Sequence, residues 1–327
     1  MKVCVTGGTG FTGAALVLRL LGDGHAVNVL DNKPGLIADE LQSHGAELSY
    51  GSVTDRDLVE AAVAGCDTVM HLAAAFRELD VPESLYHEVN RDGTRIVGEA
   101  CLKAGVRKLV YCSTQGVHGH IEHPPGDETS PIAPADYYQQ TKYEGELELQ
   151  ALTDKGLDYT TLRPTAIYGP GDPGRFVMLF KRAKSGSFPM FGRGTTFYHP
   201  VYIDNLVDAF VLAAEPGRGS GEAYIIGDAE YFPIEVLVKR VGCAIGVDVK
   251  IKHYPIWPLI VAGHICEKAC KPLGIAPPIF PRRVDWFRQV RAFKIDKARR
   301  ELGYEPKIGI DVGLRRTGEW YTANGYI

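Results

Sequence analysis

No apolar run in this 327-residue sequence approaches the ~20 residues needed to span a bilayer; the longest stretch free of polar residues, glycine and proline is Ala209 to Ala214. No membrane span is expected. Neither sign of charge dominates, since 36 Lys and Arg against 40 Asp and Glu leave a net charge of −4 and a pI near 6.2. Gripping nucleic acid through its phosphates requires a basic surplus, so no nucleic-acid partner is expected. Cysteine is sparse and odd in number, with seven residues (4, 66, 101, 112, 243, 266 and 270) set mostly in apolar surroundings. That pattern fits reduced core thiols, not a disulfide framework. Only Cys266 and Cys270 share a helical i, i+4 spacing, and without a second Cys/His pair no metal site is expected. The opening Met-Lys-Val-Cys-Val-Thr-Gly enters a strand-like run without the apolar core of a secretory leader, so the expected location is cytoplasmic.

What is present is an ordinary globular composition, 45% hydrophobic and 23% charged, which excludes a wholly disordered or fibrous chain. Up to about residue 165, short apolar runs (2–6, 26–30, 68–72, 108–112 and 159–162) alternate with amphipathic stretches (12–21, 56–63, 85–103 and 137–152). Runs that are apolar throughout suit strands buried on both faces, joined by crossover helices. The expected fold is therefore α/β, a doubly wound parallel sheet of the Rossmann kind with a smaller C-terminal substrate-binding lobe. Residues 1–165, with returning segments at about 200–246, form the expected nucleotide domain; 166–199 and 247–327, richer in glycine and proline, form the second lobe.

Two constellations carry chemistry. Val3-Cys-Val-Thr-Gly7-Gly-Thr-Gly10-Phe-Thr-Gly13 is a strand breaking into a glycine turn that opens a helix. Gly7, Gly10 and Gly13 permit the turn, close approach to a pyrophosphate and tight helix packing, while the helix start offers N–H groups to the phosphates. Asp31 ends the next strand, where a carboxylate accepts adenosine ribose hydroxyls and repels a 2′-phosphate; this points to NAD, with Lys33 leaving room for some NADP tolerance. The second constellation is Tyr138-Gln-Gln-Thr-Lys142, preceded in sequence by Ser113-Thr114 at a strand end. Four residues apart on a helix, Tyr138 and Lys142 share a face, so the ammonium can lower the phenol pKa from its usual value near 10.

These motifs, together with His71-Leu-Ala-Ala74, Val89-Asn90, Gly93-Thr94, Leu162-Arg-Pro164, Tyr168-Gly-Pro170, Val201-Tyr-Ile-Asp-Asn205 and Leu302-Gly-Tyr304, resemble the extended short-chain dehydrogenase/reductase superfamily, its NAD-dependent epimerase/dehydratase group. The resemblance covers nearly the whole chain. It implies that Tyr138 is the catalytic acid/base, Lys142 its pKa-lowering and ribose-binding partner, and Thr114 the hydroxyl that bonds the reacting oxygen. It also implies a cofactor groove lined by Gly7, Gly10, Phe11, Thr12, Gly13, Asp31, Asn32, Ser52, Val53, Leu72, Ala73, Ala74, Asn90 and Pro164 together with Tyr138 and Lys142. A homodimer paired through residues 85–103 and 137–152 is implied by the same analogy.

Subclass rests on finer features. Nucleotide-sugar enzymes of the superfamily usually carry Asn and Arg where this chain has Ala166 and Tyr198, so that diphosphate clamp is incomplete. His199 to Phe210 and the tail around Pro281–Asp285 and Ala292–Tyr304 resemble the 3β-hydroxysteroid and sterol dehydrogenase branch. The leading expectation is hydride transfer at a secondary alcohol or ketone of a steroid-like substrate. The alternative is a nucleotide-sugar 4-epimerase or dehydratase with tightly held NAD, and the remote one a non-catalytic NAD sensor. Residues 281–300 carry an excess of +6, read equally as a phosphate clamp or as separate surface ion pairs. His118, His120 and His123 cluster after the catalytic strand and read as substrate-edge or surface residues before metal ligands. The apolar stretch 254–266 reads as a buried helix or a wall of the substrate site.

Overall fold

The computed structural model describes residues 1–76, 81–172, 174–270 and 284–327. Its first part runs β1 (Lys2–Thr6), α1 (Phe11–Gly22), β2 (Ala26–Asp31), α2 (Ala38–Ser43), β3 (Glu47–Tyr50), α3 (Arg56–Val63), β4 (Thr68–His71), α4 (Glu83–Tyr86), α5 (Gly93–Ala104), β5 (Lys108–Cys112), α6 (Tyr137–Gln150) and β6 (Tyr159–Pro164). The remainder runs β7 (Ala166–Tyr168), α7 (Arg175–Lys184), β8 (Ser187–Phe191), β9 (Phe197–Tyr198), β10 (Pro200–Tyr202), α8 (Ile203–Ala213), β11 (Ala223–Ile226), β12 (Phe232–Pro233), α9 (Ile234–Ala244), β13 (Lys250–Tyr254), α10 (Trp257–Cys270) and α11 (Ile310–Ala323).

Seven strands form one sheet in the order β3, β2, β1, β4, β5, β6, β11, every pairing parallel. The inner strands are largely apolar because they feed two cores, whereas β3 at one edge is mostly exposed. In β1, Val3 and Val5 enter one core and Cys4 the other; in β5, Val110 enters the first and Leu109 and Tyr111 the second. Leu16 and Val17 of α1 with Leu206 and Phe210 of α8 cover the first side, and Val59 of α3, Val97 of α5 and Leu149 of α6 the second. Each such buried side chain contributes roughly 1.5–3 kcal/mol. Strand order reverses between β1 and β4, which opens a crevice at their carboxyl ends.

One expected helix, 85–103, is broken into α4, a π-type turn over His87–Asp92, and α5. The wide turn carries Asn90, whose buried amide donates to the Ala75 carbonyl at 3.1 Å and to Thr141 Oγ1 at 3.0 Å and accepts from the Ala75 N–H at 2.8 Å. It thereby ties the segment after β4 to α6.

The second part adds three short strand pairs, β7 with β10, β9 with β12 and β8 with β13, while α9 packs against α7 and α11. An aromatic string threads it: Tyr168 to Phe176 (4.8 Å between centroids), Phe176 to Tyr198 (6.3 Å), Tyr198 to Trp286 (6.1 Å), Trp286 to Phe287 (4.8 Å), Phe287 to Phe191 (5.5 Å) and Phe191 to Tyr254 (5.8 Å). The stretch 254–266, expected as a buried helix or a wall of the substrate site, is helical from Trp257, but Trp257, Val261 and Ile265 along it are exposed, because i, i+4, i+8 spacing puts all three on its outer face. Cys4, Cys66 and Cys101 are buried thiols; Cys243 is exposed, contrary to a core role.

Candidate active site

The glycine turn is built against the end of β4. Gly7 has φ +70, and a Cβ there would lie 2.6 Å from the Ala73 nitrogen; a Cβ on Gly13 would drive into the Gly7 carbonyl. Among the described residues Gly10 has no comparably close neighbour, and it is exposed. Asp31 is fixed from the turn itself, its Oδ2 accepting from the Thr9 N–H at 2.9 Å and from the Thr9 hydroxyl at 2.8 Å, with Asn32 N–H on Oδ1 at 2.8 Å. Leu72, Ala73 and Ala74 are half-buried along the segment leaving β4, as are Phe11, Thr12 and Ser52, whereas Val53, Asn90 and Pro164 are buried.

Asp136 caps α6, accepting from the Gln139 N–H at 2.9 Å, and so sets Tyr138 and Lys142 in its first two turns. Tyr138 is half-buried, its ring 4.7 Å from the half-exposed Phe76. Lys142 is buried, its Nζ 4.2 Å above the Tyr111 ring and without a hydrogen-bond partner among the described residues. Burial pulls this ammonium down to about 8, against the raising influence of Cys112 and Glu146. Thr114 Oγ1 accepts from the Gly116 N–H at 3.0 Å, which leaves the hydroxyl proton to donate elsewhere.

His71 closes the floor. Thr94 donates its hydroxyl to the Asn90 carbonyl at 2.7 Å, so it accepts from His71 Nε2–H at 3.0 Å, and His71 Nδ1 then accepts from the Thr6 hydroxyl at 2.6 Å. Burial first, and the Lys142 charge second, keep this ring neutral.

A buried network missing from the sequence-based expectations lies under the same helix. Glu146 accepts from the Ser113 hydroxyl at 2.5 Å and from Arg163 Nε at 3.0 Å and Nη2 at 2.5 Å; Arg163 Nη1 donates to His118 Nε2 at 3.1 Å. His118 Nδ1 consequently carries its proton, facing the Ser130 carbonyl at 3.0 Å. The signal available was the i, i+4, i+8 spacing of Tyr138, Lys142 and Glu146. His120 accepts from the Val290 N–H at 3.0 Å, and no group of three His, Cys, Asp or Glu side chains among the described residues is arranged to hold a metal.

The basic tail resolves largely into separate pairs: Lys297 with Glu222 at 2.7 Å, Arg299 with Glu305 at 3.3 Å, Arg300 with Glu301 at 2.7 Å and Arg288 with Asp285 at 3.7 Å. Arg282 and Arg283 lie outside the described residues.

A parallel sheet that reverses order beside a glycine turn, with an orphaned lysine nitrogen one helical turn from a tyrosine, defines a dinucleotide-dependent enzyme of the short-chain dehydrogenase type; the open flank of Gly10 and the unpartnered Lys142 Nζ fit a phosphate and a ribose hydroxyl. The chain belongs to the NAD dependent epimerase/dehydratase family, whose model matches residues 3–227, and is an NAD-dependent enzyme. It is 34% identical to a 2-alkyl-3-oxoalkanoate reductase of Stenotrophomonas maltophilia, over 97% of this chain and 98% of that protein. A 3 beta-hydroxysteroid dehydrogenase/Delta 5-->4-isomerase of Mycobacterium tuberculosis is also 34% identical, over 98% and 90%. Among solved structures, a UDP-glucose 4-epimerase of Thermotoga maritima with UDP-glucose matches with TM-score 0.80 and 27% identity over 99% of both chains.

Proposed function

We propose that the chain interconverts a secondary alcohol and its ketone on an apolar substrate, as a 3β-hydroxysteroid-dehydrogenase-like oxidoreductase. The observation that carries this is the accessible end of the aromatic string, the half-buried Phe191, Trp286 and Phe287 with the exposed Tyr254, which suits a ring system or alkyl chain better than a diphosphate. Pairing of Lys297, Arg299 and Arg300 with carboxylates occupies three of the eight cations a phosphate clamp would draw on. Relatives named as a hydroxysteroid dehydrogenase and an oxoalkanoate reductase support the same reading.

Bound NAD supplies the hydride acceptor. In the oxidative direction Tyr138 takes the hydroxyl proton, Thr114 donates its hydroxyl to the reacting oxygen, and Lys142 favours the phenolate while reaching a ribose hydroxyl. Asp31, held by Thr9, accepts from the other ribose and disfavours a 2′-phosphate. The likeness to a UDP-glucose 4-epimerase favours a second reading, in which the same oxidation is transient and the substrate a nucleotide sugar. Incubating the protein with NAD and either a 3β-hydroxysteroid or UDP-glucose separates them: net NADH with the steroid is expected, and sugar turnover without NADH would overturn the proposal.

A further inference from the structure

The helix face that bears Tyr138 and Lys142 continues one turn further to Glu146, which no step above uses. Lys142 is a buried cation with little around it to hold a charge. From β5 it meets the Tyr111 ring and the Cys112 thiol, which burial pushes up to about 11 and so keeps neutral. From β4 it faces His71, also neutral; from α6 itself, Tyr138 and Glu146. Among the described residues that act on it, Glu146 is the carboxylate.

Glu146 is built in firmly. It is 8% exposed, bridged twice by Arg163 and once by Ser113, the residue next to Thr114. Arg163 holds that carboxylate from β6 and is not itself among the charges that act on Lys142.

We propose that Glu146 is a positioning residue for proton transfer, the counter-charge that keeps Lys142 an ammonium beside Tyr138. The inference deepens the proposed function and rests on it for the role of Lys142, yet the charge state of Lys142 can be read without turnover. In protein with 13C-methylated lysines, the Lys142 resonance is assigned by its loss in Lys142→Met and titrated by NMR. Glu146→Gln should lower its midpoint from about 8 by roughly one pH unit. Glu146→Asp, which keeps the charge, should stay within about 0.3 units of the parent. A purely structural role predicts no such dependence on charge. An unmoved midpoint in Glu146→Gln, or a Glu146→Asp midpoint as low as that of Glu146→Gln, overturns the proposal. If Glu146→Gln does not fold, Glu146→Gln with Arg163→Met, which leaves no unpaired buried charge, is titrated instead: its Lys142 midpoint must lie below the parent's, and one that stays or rises overturns it. Should no alcohol be oxidised, the proposed function fails while the titration still decides this point.

Discussion

At the scale of single residues, Tyr138 and Tyr137 form a matched pair. They are about 100° apart on α6; Tyr138 turns inward beside Phe76, while Tyr137 is 39% exposed. Tyr138→Phe removes the proposed proton acceptor and should reduce the chemical step by roughly 10²–10⁴ with NAD affinity nearly unchanged, whereas Tyr137→Phe should stay within a few-fold of the parent. Steady-state kinetics with calorimetric NAD titration checks both, and the reverse pattern would refute the helix register. A different residue governs stability. Asp228 is buried beside Tyr202 and Asn205, whose N–H groups reach its Oδ1 at 3.0 and 2.7 Å, yet burial raises its carboxyl to about 6. The folded protein therefore binds this proton more tightly than the unfolded chain. Its contribution is full below the unfolded value near 3.8 and is lost as pH rises through about 6. Asp228→Asn keeps an acceptor for both N–H groups and sheds the buried charge, so the variant should be more stable than the parent above pH 7 by about 1–3 kcal/mol. Denaturant unfolding at pH 5 and pH 8 reads this out, and an advantage that is equal at both would contradict it.

Among the elements, α5 and α6 are proposed as the pairing helices of a homodimer. Leu147 lies 44% exposed on α6, an apolar side chain on the solvent side of a helix whose other face is already buried against the sheet. Leu147→Glu should convert a dimer to a monomer in light scattering at micromolar concentration without loss of helicity; a parent that is already monomeric would refute the pairing. Elements also mark the boundary of what could be foreseen. The strands 2–6 and 108–112 and the helix 56–63 coincide with their expected ranges, because burial on both faces of a sheet and a cap at Asp55 leave local marks in the chain. Tyr138, Lys142 and the glycines were legible for the same reason: each depends on spacing within one element. Glu146 with Arg163 was not, since the partners are 17 residues apart and meet only when β6 lies beneath α6. Nor was the break at His87–Asp92, which depends on Asn90 reaching Ala75 and Thr141 across the fold. The outward row of α10 escaped as well, because an apolar helix carries no local mark of which side it shows to water.

For the molecule as a whole, the question is whether NAD leaves between turnovers. A dehydrogenase ends its cycle with NADH and a ketone and must release both, whereas an epimerase or dehydratase returns the hydride to its substrate and need never open. The contacts that would hold the dinucleotide come from one part of the chain: the turn at Gly7–Gly13, Asp31, the segment leaving β4, and Lys142 on α6. The aromatic lobe that would hold the substrate comes from another, contributed by β8, β9, β13 and the segment around Trp286. If the alcohol-oxidising reading holds, protein purified without added cofactor should lose its NAD on dialysis, recover it by simple titration, and form one NADH per alcohol consumed. Mass spectrometry of the dialysed protein and NADH absorbance measure the two halves. NAD that survives dialysis, with UDP-sugar turnover and no net NADH, would instead place the chain with the epimerases.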